Sequence, residues 1–209
     1  MRARPVSLDQ LIEELAARIG SPPPDQWVRV AIDGAPPTEP GRLAAALVDP
    51  VRVLGRDVLH VSAADFLRPA SLRFERGRRD PEAFYEDWID ANAIAREVLD
   101  PLDPGGTGRV LPTLWDTERD RATRAGYVTL RPGGVVIIDG TLLLGRWLPF
   151  DLTVHLALTP AARERRLPPD ERWTLPAFER YDDEVDPEVT ADVVVRWNNP
   201  DRPTVLDPD

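Results

Sequence analysis

The chain of 209 residues reads as an α/β fold, a mostly parallel sheet with helices on both faces. Two observations predict it. Five short apolar runs of buried-strand type alternate with stretches of helical apolar spacing: Val28–Ile32, Val58–Ser62, Val135–Ile138, Leu152–Leu158 and Val193–Val195. The connections between them are long enough for the right-handed crossovers that parallel strands require.

In chain order, Ser7 to Ile19 opens with a capping-box pattern, Ser7 to Gln10, and continues with helical spacing. Ser21-Pro-Pro-Pro-Asp25 is a linker into the first strand. That strand runs into Asp33-Gly34, and an apolar helix pattern resumes at Leu43. Val58–Ser62 is the second strand, followed by Ala63-Ala-Asp-Phe66. Residues 70–80 are arginine-rich and read as loop. Pro81 to Leu99 reads as one helix with proline in its first turn. Asp100-Pro-Leu-Asp-Pro-Gly-Gly106 is a turn. Val110–Asp116 and Tyr127–Leu130 read as short strands or an extended arm. The third strand ends in Asp139-Gly140. Arg163 to Tyr181 is broken by prolines, and the last strand follows Ala191.

Composition narrows the function classes. With no cysteine, disulfides, thiolate zinc sites and cysteine nucleophiles are excluded. The formal charge of −10 argues against nucleic-acid binding, which needs a basic footprint. No apolar run approaches a membrane span, and the first residues lead into no signal-peptide core. A cytoplasmic location is expected, with neither nucleic acid nor membrane as partner.

The strand–loop–helix from Val28 to Leu47 is the frame of a phosphate-binding loop, whose motif is G-x-x-x-x-G-K-[ST]. Counted from Gly34, Glu39 stands for the second glycine, Pro40 for the lysine and Gly41 for the hydroxyl residue. The chain contains no lysine at all; its 26 basic residues are arginines. A working cradle wraps phosphate in successive backbone N–H groups at a helix start. Pro36, Pro37 and Pro40 have no N–H to give. Glu39 adds a negative charge, and two unit charges 4 Å apart near a surface repel by roughly 4 kcal/mol. Arg42 is a displaced cation two residues past the lysine position. The helix is expected to start near Pro40, with Glu39 or Thr38 as its cap.

Further blocks share an order and spacing: Val61-Ser-Ala-Ala-Asp-Phe-Leu-Arg-Pro69, Phe74-Glu-Arg-Gly77 and Asp80-Pro-Glu-Ala-Phe-Tyr-Glu-Asp-Trp-Ile-Asp90. Leu99-Asp-Pro-Leu-Asp-Pro-Gly-Gly106, Trp115-Asp-Thr-Glu-Arg-Asp-Arg121 and Val136-Ile-Ile-Asp-Gly-Thr-Leu-Leu-Leu144 follow, then Ala191-Asp-Val-Val-Val195. Together with the loop frame they resemble the uridine kinase and phosphoribulokinase-like group of P-loop proteins, particularly the uridine-kinase-like proteins of actinobacteria. The resemblance spans about Val28 to Pro203. It implies a P-loop NTPase-like three-layer sandwich with a five-stranded, mostly parallel sheet and a short lid near 163–181. Residues 1–24 then form an N-terminal helix and linker, and 25–209 the domain.

The resemblance also assigns sites. Ala64 stands where the family carries the acid that activates the acceptor hydroxyl. Asp65 lies one residue along, open to two readings, turn cap or displaced base. Leu67 replaces a polar family residue, and Arg68 is either an anion contact or a salt-bridge partner. Asp139 matches an acid that helps hold Mg²⁺, or is a turn acid before Gly140. Tyr85, Asp87, Trp115 and Arg121 match the acceptor pocket, against core packing for the aromatics and ion pairing for the charges. Arg163, Arg165, Arg166 and Arg172 match lid arginines that clamp a phosphoryl group, against a solvated face. His60 and His155 read as packing residues.

Loss of the cradle, of the activating acid and of part of the lid removes most of what phosphoryl transfer needs. The leading reading is therefore a non-catalytic module with no cofactor. Its expected partner is a nucleoside-like or phosphorylated small molecule, or a protein, including a second copy. The alternative is a phosphotransferase using Mg-ATP through Arg42 and the lid arginines. A third is another reaction on a phosphorylated small molecule in the old acceptor cleft.

Overall fold

The structure is a computed structural model, which describes residues 2–200 and 202–207. Strand β1 (Arg2–Pro5) and helix α1 (Leu8–Gly20) precede β2 (Val28–Gly34), α2 (Pro40–Val53) and β3 (Val58–Ser62). Three short helices follow, α3 (Ala70–Arg73), α4 (Pro81–Glu86) and α5 (Ala91–Ile94). Then come the two-residue strands β4 (Arg109–Val110), β5 (Trp115–Asp116), β6 (Arg121–Ala122) and β7 (Val128–Thr129). Strands β8 (Val135–Gly140) and β9 (Leu152–Ala157) lead to α6 (Pro160–Arg166), α7 (Leu175–Val185) and α8 (Pro187–Thr190). Strands β10 (Val193–Arg196) and β11 (Thr204–Asp207) end the described chain.

The main sheet has seven strands in the order β1-β11-β10-β9-β2-β8-β3. The five expected strands pair in parallel, with β3 forming one edge of the sheet. Two antiparallel strands, β11 and β1, extend the other edge. Alternation along each strand splits the core into two faces. Val28, Val30, Ile32, Val135 and Ile137 pack with α1 and α2. Val136 and Ile138 point the other way, onto Phe66, Ile94 and Leu99. Full burial of each such side chain is worth about 1.5–3 kcal/mol.

Half of the expected capping box forms: Ser7 Oγ accepts from Gln10 N at 3.1 Å, but the Gln10 side chain turns to Glu14 instead of Ser7 N. The segment set apart at 1–24 shares the core, with Leu11, Leu15 and Ile19 buried against β2 and α2. The single helix expected over Pro81–Leu99 is interrupted after Glu86. There Arg68 N donates to Trp88 O and Asp90 N to Phe66 O. Asp90 then caps α5 through Ala93 N at 2.9 Å, and Ala95–Leu99 winds as a π-helix. These tertiary pairings override a continuous helical pattern. The extended arm forms two small antiparallel pairs, β4 with β7 and β5 with β6.

Candidate functional site

The carboxyl ends of β2, β3, β8 and β9 meet at the edge where open α/β sheets bind ligands. The register decides what gathers there. Asp33 lies level with His155 of β9, and Asp139 level with Ser62 of β3. Level residues on neighbouring strands share a face about 4.8 Å apart, close enough for side-chain bonds.

After Gly34 the chain makes a 3-10 turn over Pro36–Thr38 and enters α2 at Pro40, as expected. Glu39 keeps the bend, with φ 52° and ψ 57°. That left-handed conformation is open to the motif's glycine and costs other residues about 1–2 kcal/mol. Neither expected cap operates. Glu39 makes no side-chain cap bond and faces Arg42 at 3.5 Å in an exposed pair. Thr38 is fully buried and its hydroxyl donates to Ala35 O. A Cβ on Gly34 would meet that hydroxyl at 2.4 Å, so Thr38 occupies the inside of the loop. Thr38, Glu39 and Arg42 donate their N–H groups to Ala35, Pro36 and Glu39 carbonyls. With three prolines besides, residues 36–40 and 42 offer no free backbone donor.

Asp139 is equally committed. One carboxylate oxygen lies 2.6 Å from His60 Nε2, and the other accepts from Ser62 Oγ at 3.3 Å. Its Oδ2 also lies 3.2 Å from where a Cβ on Gly41 would stand. A hydroxyl residue at 41 would crowd that carboxylate. No group of three or more His, Asp or Glu residues able to hold a metal ion exists among the described residues. The carboxylate that the family resemblance assigns to Mg²⁺ is thus already bonded through both oxygens to protein groups.

Asp65 sits in the turn Ala63–Phe66 and caps nothing. Burial, reinforced by the Asp139 charge, raises its carboxyl pKa, and His60 partly offsets this. Ala64 and Leu67, with Phe84, Trp88 and Ile89, line an apolar cleft of about 260 Å³ over Asp139 and Thr141. Trp88 Nε1 is buried there without a partner.

The four residues expected to line one acceptor pocket do not meet. Tyr85 reaches Glu184 at 3.3 Å and lines a separate recess with Arg146 and Tyr181. Asp87 pairs with Arg68 at 3.4 Å and Arg76 at 3.8 Å. Trp115 Nε1 donates to Asp120 at 3.1 Å, and Arg121 is exposed on β6. Tyr85 lies on α4, which packs against α7, whereas Trp115 and Arg121 lie on the β5–β6 pair. In place of Tyr85, Phe84 and Trp88 wall the cleft.

The segment expected to be a lid packs as a wall of the domain, with most of its arginines tied down. Arg163 is buried, bonds Asp182 and lies 5.0 Å over the Phe178 ring. Arg166 donates to the carbonyls of Trp197 and Asn198, and Arg172 reaches Leu167 O at 3.5 Å. Arg165 alone of the four is exposed with no such tie. Phe84 packs edge-on against Phe178 and Trp173, and Arg180 bonds Glu82, Glu86 and Glu184.

Both histidines are ionic or hydrogen-bonding partners of acids, which their reading as packing residues missed. His155 Nδ1 lies 2.7 Å from Asp33 Oδ2. Asp33 is fully buried and also accepts from Tyr181 OH at 3.1 Å and Leu143 N at 2.9 Å. Tyr181 OH in turn accepts from Leu144 N at 3.0 Å. Burial and the adjacent Asp33 push the phenol well above its ordinary range. The available signal was positional: each histidine lies in a strand beside one that ends in Asp-Gly.

Solved structures share the fold. The possible uridine kinase from Bacillus stearothermophilus superposes with a TM-score of 0.71 at 21% identity, covering 90% of this chain and 98% of that one. A putative fructose transport system kinase from Silicibacter sp. TM1040 gives 0.58 at 26%, covering 84% and 88%. The YGR205w protein gives 0.58 at 11%, covering 96% and 99%. No protein-family model and no curated protein matches the sequence. The α/β architecture is that of the P-loop kinases.

Proposed function

We propose that this chain is a uridine-kinase-like protein that no longer transfers phosphate and acts as a small-molecule binding or regulatory module. One observation carries the reading: the phosphate-binding loop is filled and bonded by its own residues. Thr38 lies where phosphate would be wrapped, and the N–H groups of Thr38, Glu39 and Arg42 are spent on the loop's own carbonyls. The acid expected to serve Mg²⁺ is held by His60 and Ser62. Where a base would face the acceptor hydroxyl stands Ala64. Catalysis of this reaction is positioning and charge stabilisation, and each of these changes removes a part of that.

What supports binding is the cleft over Asp139. Its walls, Leu67, Phe84, Trp88 and Ile89, suit a flat or branched apolar body. Asp139 and Thr141 supply polar contacts at its floor. Nucleosides have this character, a planar base carrying hydroxyls. The test has two arms. A thermal-shift and tryptophan-fluorescence screen of nucleosides and sugar phosphates should give hits that Trp88→Ala weakens about tenfold or more, the scale of a lost aromatic contact. The same hits incubated with Mg-ATP should yield no phosphorylated product. Product formed at a rate proportional to enzyme would refute the non-catalytic reading.

A further inference from the structure

A second cavity of about 360 Å³ lies between the ends of β2 and β9 and the helices α6 to α8. It is distinct from the apolar cleft, and its chemistry is different. The floor carries His155 with Asp33 and Tyr181 behind it. Leu142, Leu156, Leu158 and Phe178 supply apolar walls. The volume is at the lower end of small-ligand pockets.

The hydrogen-bond pattern fixes what the floor presents. Asp33 accepts from Leu143 N and from Tyr181 OH, so the carboxylate is an acceptor. His155 Nδ1, 2.7 Å from the same carboxylate, therefore carries the proton and donates it. In the neutral imidazole Nε2 is then an acceptor. It has no partner within the protein and is not sealed from solvent, although His155 as a whole is only 8% exposed. A buried imidazole held in one orientation, with one nitrogen open to a cavity, awaits a donor.

The rim sets the charge. Asp186 and Glu188 stand at the mouth and form no ion pair. Arg163 is the only cation among the described residues lining the cavity, and its charge is spent on Asp182. An anion such as phosphate meets two uncompensated carboxylates and no free cation. We propose that this cavity is a binding site for a small amine with an apolar body. One amine N–H is donated to His155 Nε2, the remaining N–H groups of the charged nitrogen face Asp186 and Glu188, and its body packs on Phe178 and the leucines. The inference does not depend on the chain being catalytically inactive.

Benzylamine, benzyl alcohol, benzoate and inorganic phosphate test it as matched probes. Protein labelled with ¹⁵N-histidine is titrated with each, and the imidazole resonances and the ligand saturation-transfer signal are followed. Benzylamine should bind in the millimolar range expected of a fragment and move the His155 Nε2 resonance, with Nδ1 remaining protonated. Benzyl alcohol should bind more weakly, and benzoate and phosphate should not bind. The double variant Asp186→Asn/Glu188→Gln, exposed or half-buried at the rim, should weaken benzylamine about tenfold while leaving benzyl alcohol unchanged. His155→Phe should abolish the amine's binding. The proposal is overturned if benzoate or phosphate binds as well as benzylamine. It is equally overturned if no probe binds at millimolar concentration, or if the rim variant leaves the amine's affinity intact.

Discussion

Tyr181→Phe removes one oxygen atom and should unpin the former lid. In the structure that oxygen donates to buried Asp33 at 3.1 Å and accepts from Leu144 N at 3.0 Å. A hydrogen bond to a charged partner contributes about 1.5–3 kcal/mol, and a buried N–H left without a partner costs about 1–3 kcal/mol. The two overlap, because the neighbours relax together, so a loss of about 2–4 kcal/mol is expected. For a chain of this size each kcal/mol moves the melting temperature by about 2–4 °C, giving a fall of roughly 4–16 °C. Urea unfolding followed by near-UV circular dichroism at pH 7, with calorimetric melting, reads both quantities. Tyr85→Phe is the control, since its hydroxyl bonds an exposed Glu184 at 3.3 Å, and it should cost under about 0.5 kcal/mol. The pH dependence has a definite sign. The folded phenol titrates above its unfolded value of 10.0, so its contribution is complete below that pH. Wild-type stability should fall as pH rises beyond about 10, and the Phe variant should lack that part of the fall. A Tyr181→Phe loss no larger than the control's would refute the buried Asp33–His155–Tyr181 network as the lid's anchor.

Two further expectations concern the sites themselves. Asp65→Asn should stabilise the protein at neutral pH, because burial and Asp139 raise the folded carboxyl above its unfolded value of 3.8. The native acid is favoured below that value and penalised as pH rises through its folded pKa, so the gain should be present at pH 7 and vanish near pH 3 in paired melts. Repair of the loop by Thr38→Gly, which empties its inside, with Glu39→Gly and Pro40→Lys should raise ATP affinity at least about tenfold by calorimetry, without turnover. Turnover should appear, if at all, only when Ala64→Asp is added, and turnover in the triple variant alone would show that Ala64 is not a limiting loss.

The sheet was legible because its five parallel strands are continuous apolar runs, the pattern of strands covered on both faces. β1 and β11 were not, since Arg2–Pro5 and Thr204–Asp207 carry mixed residues and owe their order to pairing with each other and with β10. The loop's chemistry was legible residue by residue, because a proline lacks an N–H wherever it stands. Its occupation by Thr38 was not, as that depends on the turn closing over Gly34. The acceptor pocket was drawn from blocks that keep the family's order, but Tyr85 and Asp87 lie on and just after α4 while Trp115 and Arg121 lie on the β5–β6 pair, and block order does not specify how those elements face one another. The Asp33–His155 and Asp139–Ser62 contacts follow from strand register, which no single strand's sequence specifies.

The central claim is that the phosphate-binding loop no longer receives a nucleotide, and isothermal titration of the wild-type chain with ATP, with and without Mg²⁺, tests it most directly. A filled loop with three prolines, an exposed Glu39 and no lysine should give no heat of binding up to millimolar ATP, and Mg²⁺ should make no difference. A saturable isotherm with a micromolar Kd that requires Mg²⁺ would contradict the account.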